Sequence, residues 1–320
     1  NMPHKDSWQP PLPGSDKLTG DLKSWKGKLA KATGRDIDAW AKKVAQKEMQ
    51  LKDAVDAAKY DYRSHTVKDA DGKERKIDPI EELVQWRLWD RTGGGLMAEL
   101  GSHQLDAASI FISAMHGGEK QHPIRVMAAG NRPIFPADRD IDDHVACIFE
   151  FPMPGYNAKS ELDARRKIGV QYASINGNGF GGYGEIVYGT KGTLILEKEQ
   201  NMELMLNKTS AKVAAGASAG PTMDTQASGA AQEAVDTGPK RKVSRGYREE
   251  LEHWAWCIQN PAPENKPRCH PKVALGDAVI AHVTNLSAKE GRPIEFKEAW
   301  FDIHSDETPE GVKPDLSRYA

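Results

Sequence analysis

The chain has 320 residues, 38% hydrophobic and 28% charged, with a formal net charge of −2. That is long enough for one or two hydrophobic cores, and it carries no electrostatic footprint for nucleic acid or an anionic membrane surface. No apolar run approaches the roughly 18 residues that a membrane-spanning helix needs. The three cysteines, Cys147, Cys257 and Cys269, fit neither a disulfide framework nor a zinc pattern, and they read as buried free thiols in a reducing, cytoplasmic setting.

The opening stretch, Asn1 to Pro13, is rich in proline. It has neither the apolar core of a signal peptide nor the pattern of a strand, and it reads as a linker. Residues 14–76 are polar and helical in pattern. Asp36 is placed to cap a helix running through Trp40, Val44, Leu51 and Val55 to about Tyr62, rich in Ala, Lys and Gln. Its thin apolar stripe predicts a solvated or partner-facing helix. Asp71-Gly72 marks a surface loop over Lys68 to Lys76. Residues 1–76 therefore read as a linker plus a helical insertion.

Asp78 to Trp89 leads into Gly93-Gly94-Gly95. An aromatic ring such as that of Trp86 can cover the apolar face of a sugar, and the Arg87 guanidinium can hold hydroxyls or a carboxylate; equally, the tryptophans fit a core and Arg87 a surface ion pair. Three successive glycines permit a backbone path closed to residues with a Cβ. Glu99, His103 and Asp106 then recur at spacings of four and three, which places them on one face of a helix. A carboxylate beside an imidazole is suited to proton handling. A turn capped by Ser102 and leading into a buried helix is the alternative, and it needs no chemistry.

From Pro123 the pattern changes to strands: Ile124 to Ala129, His144 to Phe151, Ile168 to Ile175, Gly184 to Tyr188, Thr193 to Glu197 and Met202 to Leu206. Short connections without crossover helices predict an α+β domain on a mainly antiparallel open sheet, with helices on one face and no complete Rossmann domain. The loop Pro133 to Asp143 reads as solvated and acidic, because its aspartates lack the glycine and distal glutamate of a calcium loop. Gly177 to Gly182 has the form G-x-G-x-x-G, but a strand pattern follows it where a dinucleotide fingerprint needs a helix. It reads as a loop in which Asn176, Asn178 and Tyr183 are placed to touch a substrate. Residues 208–243, rich in Ala, Gly, Ser and Thr, read as a disordered insertion. Tyr247 to Gln259 and the stretch from His270 to Gly291 read as helices, and Pro293 to Phe296 as a last short strand. The domain thus covers 77–207 and 244–300, with a tail over 301–320.

Gly93 to Asp106 spells Gly-Gly-Gly-x-x-x-acid-x-Gly-x-His-x-x-Asp. It resembles the substrate-side motif of the Gfo/Idh/MocA family of nicotinamide-dependent oxidoreductases. Gly182 to Leu194 is similar to the family's later G-T-x-G-x-L sheet motif, and Asn285 to Ile294 to its last helix and strand. Glu99 stands where the family usually has Asp. The resemblance implies the C-terminal substrate-binding and oligomerisation domain of an enzyme that uses NAD or NADP on a CH–OH group of a sugar, cyclitol or small polyol. It implies His103 as proton acceptor or donor with Glu99 as its polar partner. Trp86, Arg87, Asp106, Asn176 and Tyr183 become candidate carbohydrate contacts, with Gly94 and Gly95 near the nicotinamide, no metal, and a homo-oligomer formed through the sheet. In that family a Rossmann domain and a Glu-Lys-Pro lysine come first. Neither is legible here, so the resemblance implies the C-terminal part of a longer protein, inactive and without NAD(P) affinity by itself. Two readings stand beside it: an NAD-dependent glycosidase of the same superfamily, and a non-catalytic oligomerisation module. A metal hydrolase built on Glu99 and His103 lacks a third ligand.

Overall fold

Strict alternation along His144–Pro152 (β4) puts Val145, Cys147, Phe149 and Phe151 on one buried face and leaves Ala146 and Ile148 exposed on the other. Each of the two phenylalanines, with no exposed surface, contributes roughly 1.5–3 kcal/mol by leaving water. Arg125–Asn131 (β3) and Lys167–Ile175 (β5) flank β4, and Ile294–Glu295 (β10) adds an edge, giving an antiparallel sheet of order β10-β3-β4-β5. The helix Pro271–Glu290, designated α7, covers the buried face: the Ala128 N–H donates to Ser287 Oγ at 3.1 Å, and Ile280, Val283 and Thr284 are fully buried. On the other face Met127, Ala129, Ala146, Ile148 and Ala173 are exposed.

The computed structural model describes residues 12, 16–52, 55–68, 71–176, 182–198, 201–207, 232–234, 244 and 246–313. The proline-rich opening apart from Leu12, the glycine-rich stretch 177–181, most of 208–243 and the tail beyond 313 lie outside them. Of 208–243 only Gln232–Ala234 is described, and it is a short strand. The chain divides into two compact units, one of Asn1–His103, His122–Asn178 and Ala278–Ala320, the other of Gln104–Gln121 and Gly179–Asp277.

The first unit opens on two helices, Asp16–Lys31 (α1) and Asp36–Lys52 (α2), joined at Trp25 and Trp40, whose rings meet edge to face at 6.3 Å. Only Val44 and Lys47 of α2 are buried, as its thin stripe predicts. The helix is described as far as Lys52, and Val55 and Asp56, which the sequence expectation places inside it, are not helical. A separate 3-10 turn, Ala57–Tyr60, ends at Asp61 in the left-handed region (φ 64°). The stretch read as a surface loop is a β-hairpin, His65–Lys68 (β1) with Glu74–Ile77 (β2). Asp71-Gly72 is its turn, but Ile77 is fully buried against Leu88 and Trp89. Alternation over four residues is too short a signal to lift such a strand out of a charged background.

In the second unit Gly184–Gly189 (β6), Gly192–Glu197 (β7), Asn201–Asn207 (β8) and Gln232–Ala234 (β9) form a second antiparallel sheet in sequence order. Tyr247–Gln259, designated α6, follows. Among the described residues every strand pairing is antiparallel. No described helix is long and apolar enough to cross a membrane. Cys147 and Cys257 are buried thiols, whereas Cys269, expected to be buried, is exposed in the loop before α7.

Candidate functional site

The short helices Pro79–Val84 (α3) and Asp90–Gly93 (α4), with a 3-10 turn over Trp86–Leu88 between them, carry the chain into the glycine turn. The two tryptophans part company here. Trp89 is core, 1% exposed, and meets His65 edge-on at 4.5 Å. Trp86 is 36% exposed, and the Arg87 guanidinium lies over its ring at 4.6 Å.

Gly94, at φ 63°, closes α4 in the left-handed region, and a Cβ there would stand 2.7 Å from that of Ala98. Only glycine meets both conditions. Its carbonyl accepts from Asn285 Nδ2 at 2.8 Å. Gly95, at φ 61°, packs beside Ile141. The chain then makes one wide π turn, Met97–Gly101, before the helix Ser102–Met115 (α5). Such single π turns are uncommon and concentrate at functional sites. Ser102 is not a cap: its backbone is already helical, and its hydroxyl donates back to the Ala98 carbonyl at 2.8 Å.

Glu99 sits in the π turn and His103 in the first turn of α5, and both are exposed. Arg87 Nε donates to Glu99 Oε1 in a short ion pair. Trp86, Arg87 and Glu99 are thus brought together, with His103 following on the same run of helix, and the acid pairs with the arginine. Asn176, just past β5, donates its backbone N–H to the Asp143 carbonyl at 2.8 Å. Asp106 and Tyr183 belong to the second unit. Lys120 Nζ lies 3.3 Å from Asp106 and 2.7 Å from Asp277, so a substrate would have to share the Asp106 carboxylate with an ammonium. Tyr183 is exposed before β6, and its carbonyl accepts from the Lys198 N–H. Among the described residues no group of three His, Cys, Asp or Glu side chains is placed to hold a metal ion.

The loop Pro133 to Asp143 is a packed brace, in contrast to the solvated loop expected from its charge. Asp140 accepts from the Asp90 N–H at 2.7 Å and donates its own N–H to the Leu88 carbonyl, tying the loop to the entry of the glycine turn. Burial pushes the Asp140 and Asp142 carboxyls above their ordinary values. Asp143 has no exposed surface. Its Oδ2 accepts the N–H groups of Ile134 and Phe135 at 2.8 and 2.5 Å, and its Oδ1 accepts His144 Nδ1. Burial opposes its ionisation, but Phe135, His144 and Ile134 outweigh it, and the carboxyl lies below the ordinary aspartate value. This buried acid–imidazole pair was missed in the sequence. Its signals were Phe135 and Ile141 among the aspartates and an Asp-His dipeptide opening an alternating strand.

No family model matches the chain, and no curated protein does. Among solved structures it is similar to an NAD-binding protein from Listeria innocua, at 16% identity and TM-score 0.42 over 69% of this chain and 53% of that one. It is similar to an NAD binding oxidoreductase from Klebsiella pneumoniae, at 16% and 0.41 over 66% and 53%. It is also similar to levoglucosan dehydrogenase, at 15% and 0.42 over 67% and 54%. The matched structures include many oxidoreductases of the Gfo/Idh/MocA type, and the chain spans about half the length of the solved chains named. The chemistry therefore rests on the residues of this chain.

Proposed function

We propose that the chain is the substrate-side part of an NAD(P)-dependent oxidoreductase acting on a CH–OH group of a sugar, cyclitol or related small polyol. The observation that carries this reading is the exposed imidazole of His103 on the first turn of α5, directly after a π turn that holds the Trp86–Arg87–Glu99 cluster. Bound NAD(P) would take the hydride from the carbinol carbon. The work left to this chain is to hold the sugar and to remove the hydroxyl proton, and an imidazole is the side chain whose ordinary titration falls near neutral pH. Glu99, with Arg87, gives that turn a fixed polar edge, and the Trp86 ring gives it an apolar one.

The lack of a side chain at Gly94 and Gly95 is accounted for by the turn itself, at φ 63° and 61°. The space a Cβ would take at Gly94 is filled by Ala98, and Gly95 packs on Ile141. We assign no residue of this chain to the nicotinamide. The expected outcome is that this chain shows no saturable NADH fluorescence titration, and micromolar affinity would overturn that assignment. For the reading as a whole, the full-length protein should reduce NAD or NADP with a polyol from a panel of sugars and cyclitols. A protein that reduces neither cofactor with any of them would exclude it.

The open sheet face supports self-association. Met127, Ile148 and Ile175 are exposed on it, and Ala129, Ala146 and Ala173 line up across three strands as a shallow trough. A face of this kind fits a second copy of itself. Sedimentation of the Ala146→Arg variant, which fills the trough with charge, should show a smaller species than the parent chain. An unchanged sedimentation coefficient would remove the sheet from the interface.

A further inference from the structure

The second unit contains a cleft of about 700 Å³ between α6 and the segment that leads into α7, within the size range of small-molecule sites. Glu249, Glu250 and Trp254 line it from α6, and Arg268, Cys269 and His270 from the other segment. Trp254 is 54% exposed, so its indole is a surface with room for a ligand. The cleft lies entirely within one unit and contains none of the candidate residues of the proposed oxidoreductase reading.

Its charge is unequal. Two carboxylates line it against one guanidinium. Beside Cys269 the Lys120 ammonium is already shared by Asp106 and Asp277, a further pair of acids on a single cation. The thiol registers this: burial raises its pKa most, the Asp106 and Asp277 carboxylates raise it further, and Lys120 only partly offsets them. Negative charge beside a half-exposed indole is the combination that recognises a desolvated organic cation, through Coulomb attraction and the negative face of the ring. A phosphate or carboxylate ligand would have Arg268 and the first turns of α6 and α7 in its favour but would meet the same acids.

We propose that this cleft binds a small organic cation, an alkylammonium group set against Glu249 and Glu250 with its alkyl substituents on the face of Trp254. The occupant is defined by that chemistry, a fixed positive charge wrapped in methyl or methylene groups.

Cys269 supplies the readout. It is exposed while Cys147 and Cys257 are buried, so N-ethylmaleimide at mildly alkaline pH modifies it first. The probe is choline, and the control is 3,3-dimethylbutan-1-ol, which has the same shape without the charge. Choline should slow the labelling of Cys269 in the full chain in a saturable way, and the alcohol should not. Glu250→Gln and Trp254→Leu should each weaken the choline midpoint by roughly tenfold, with far-UV circular dichroism unchanged. Equal protection by the two compounds would overturn the proposal by making the cleft merely apolar. So would protection by inorganic phosphate in place of choline, a choline effect untouched by Glu250→Gln, or no protection at millimolar choline.

Discussion

Two imidazoles in the first unit are held in opposite ways. His144 opens a strand and is fixed by an aspartate with no exposed surface, whose other oxygen is held by two backbone N–H groups. His103 opens a helix in the open, and the acid one turn before it is paired with Arg87. The first arrangement fixes a ring by tertiary packing, and the second leaves a ring accessible on a rigid element. A structural histidine needs the one and a reacting histidine the other. The difference is therefore testable as a difference between stability and turnover.

The sharpest way to break the comparison is to remove the buried acid. Asp143→Ala strands three donors at once and should cost about 3 kcal/mol in urea unfolding. Asp143→Asn should cost less, and its deficit should depend on pH. Because the folded carboxyl lies below its ordinary value, its contribution is present above the unfolded pKa of about 3.9 and is lost as pH falls through the folded one. The gap between parent and Asp143→Asn should thus be widest at neutral pH and shrink below about pH 4. A gap constant from neutral to acid pH would mean that the carboxylate charge is not what holds this corner. Next in size is the turn that presents His103. Gly94→Ala meets both a positive φ and the Ala98 contact and should cost about 2 kcal/mol. Gly72→Ala, at φ 78° with open space around it, should cost about 1 kcal/mol. Equal losses at the two glycines would remove the special packing claimed for the Gly94 turn.

What the sequence disclosed follows from how far each signal reaches along the chain. The six strands from Ile124 to Leu206 and both late helices lay close to where alternation and helical spacing placed them, because each is long enough to show its own period. The hairpin His65–Lys68 with Glu74–Ile77 is too short for that, and only the burial of Ile77 against Trp89 gives it away. At the candidate site the positions of Glu99 and His103 were legible. The partner of Glu99 was not, since Arg87 is twelve residues away across a turn whose π geometry no spacing rule anticipates. The acidic loop misled for the same reason. Its aspartates look solvated until Asp140 is seen to hold the Asp90 N–H, fifty residues distant in sequence.

The smallest stability effects belong to the exposed pair and ring, and there the comparison is sharpened. With side chains 27% and 39% exposed, Arg87 and Glu99 should contribute below about 1 kcal/mol, less in high salt. Arg87→Gln should therefore unfold close to the parent. If Arg87 sets the polar edge beside His103, this variant should raise KM for the polyol more than it lowers kcat. His103→Ala should change unfolding free energy by no more than about 0.5 kcal/mol, because an exposed ring leaves neither a cavity nor an orphaned donor. In the full-length protein the same change should lower turnover by about 10²–10⁴-fold if the ring takes the hydroxyl proton. His144→Ala should show the reverse, a loss of stability larger than its loss of turnover. Unchanged turnover in His103→Ala would leave the open imidazole without a chemical role and turn the chain's use toward assembly through its sheet.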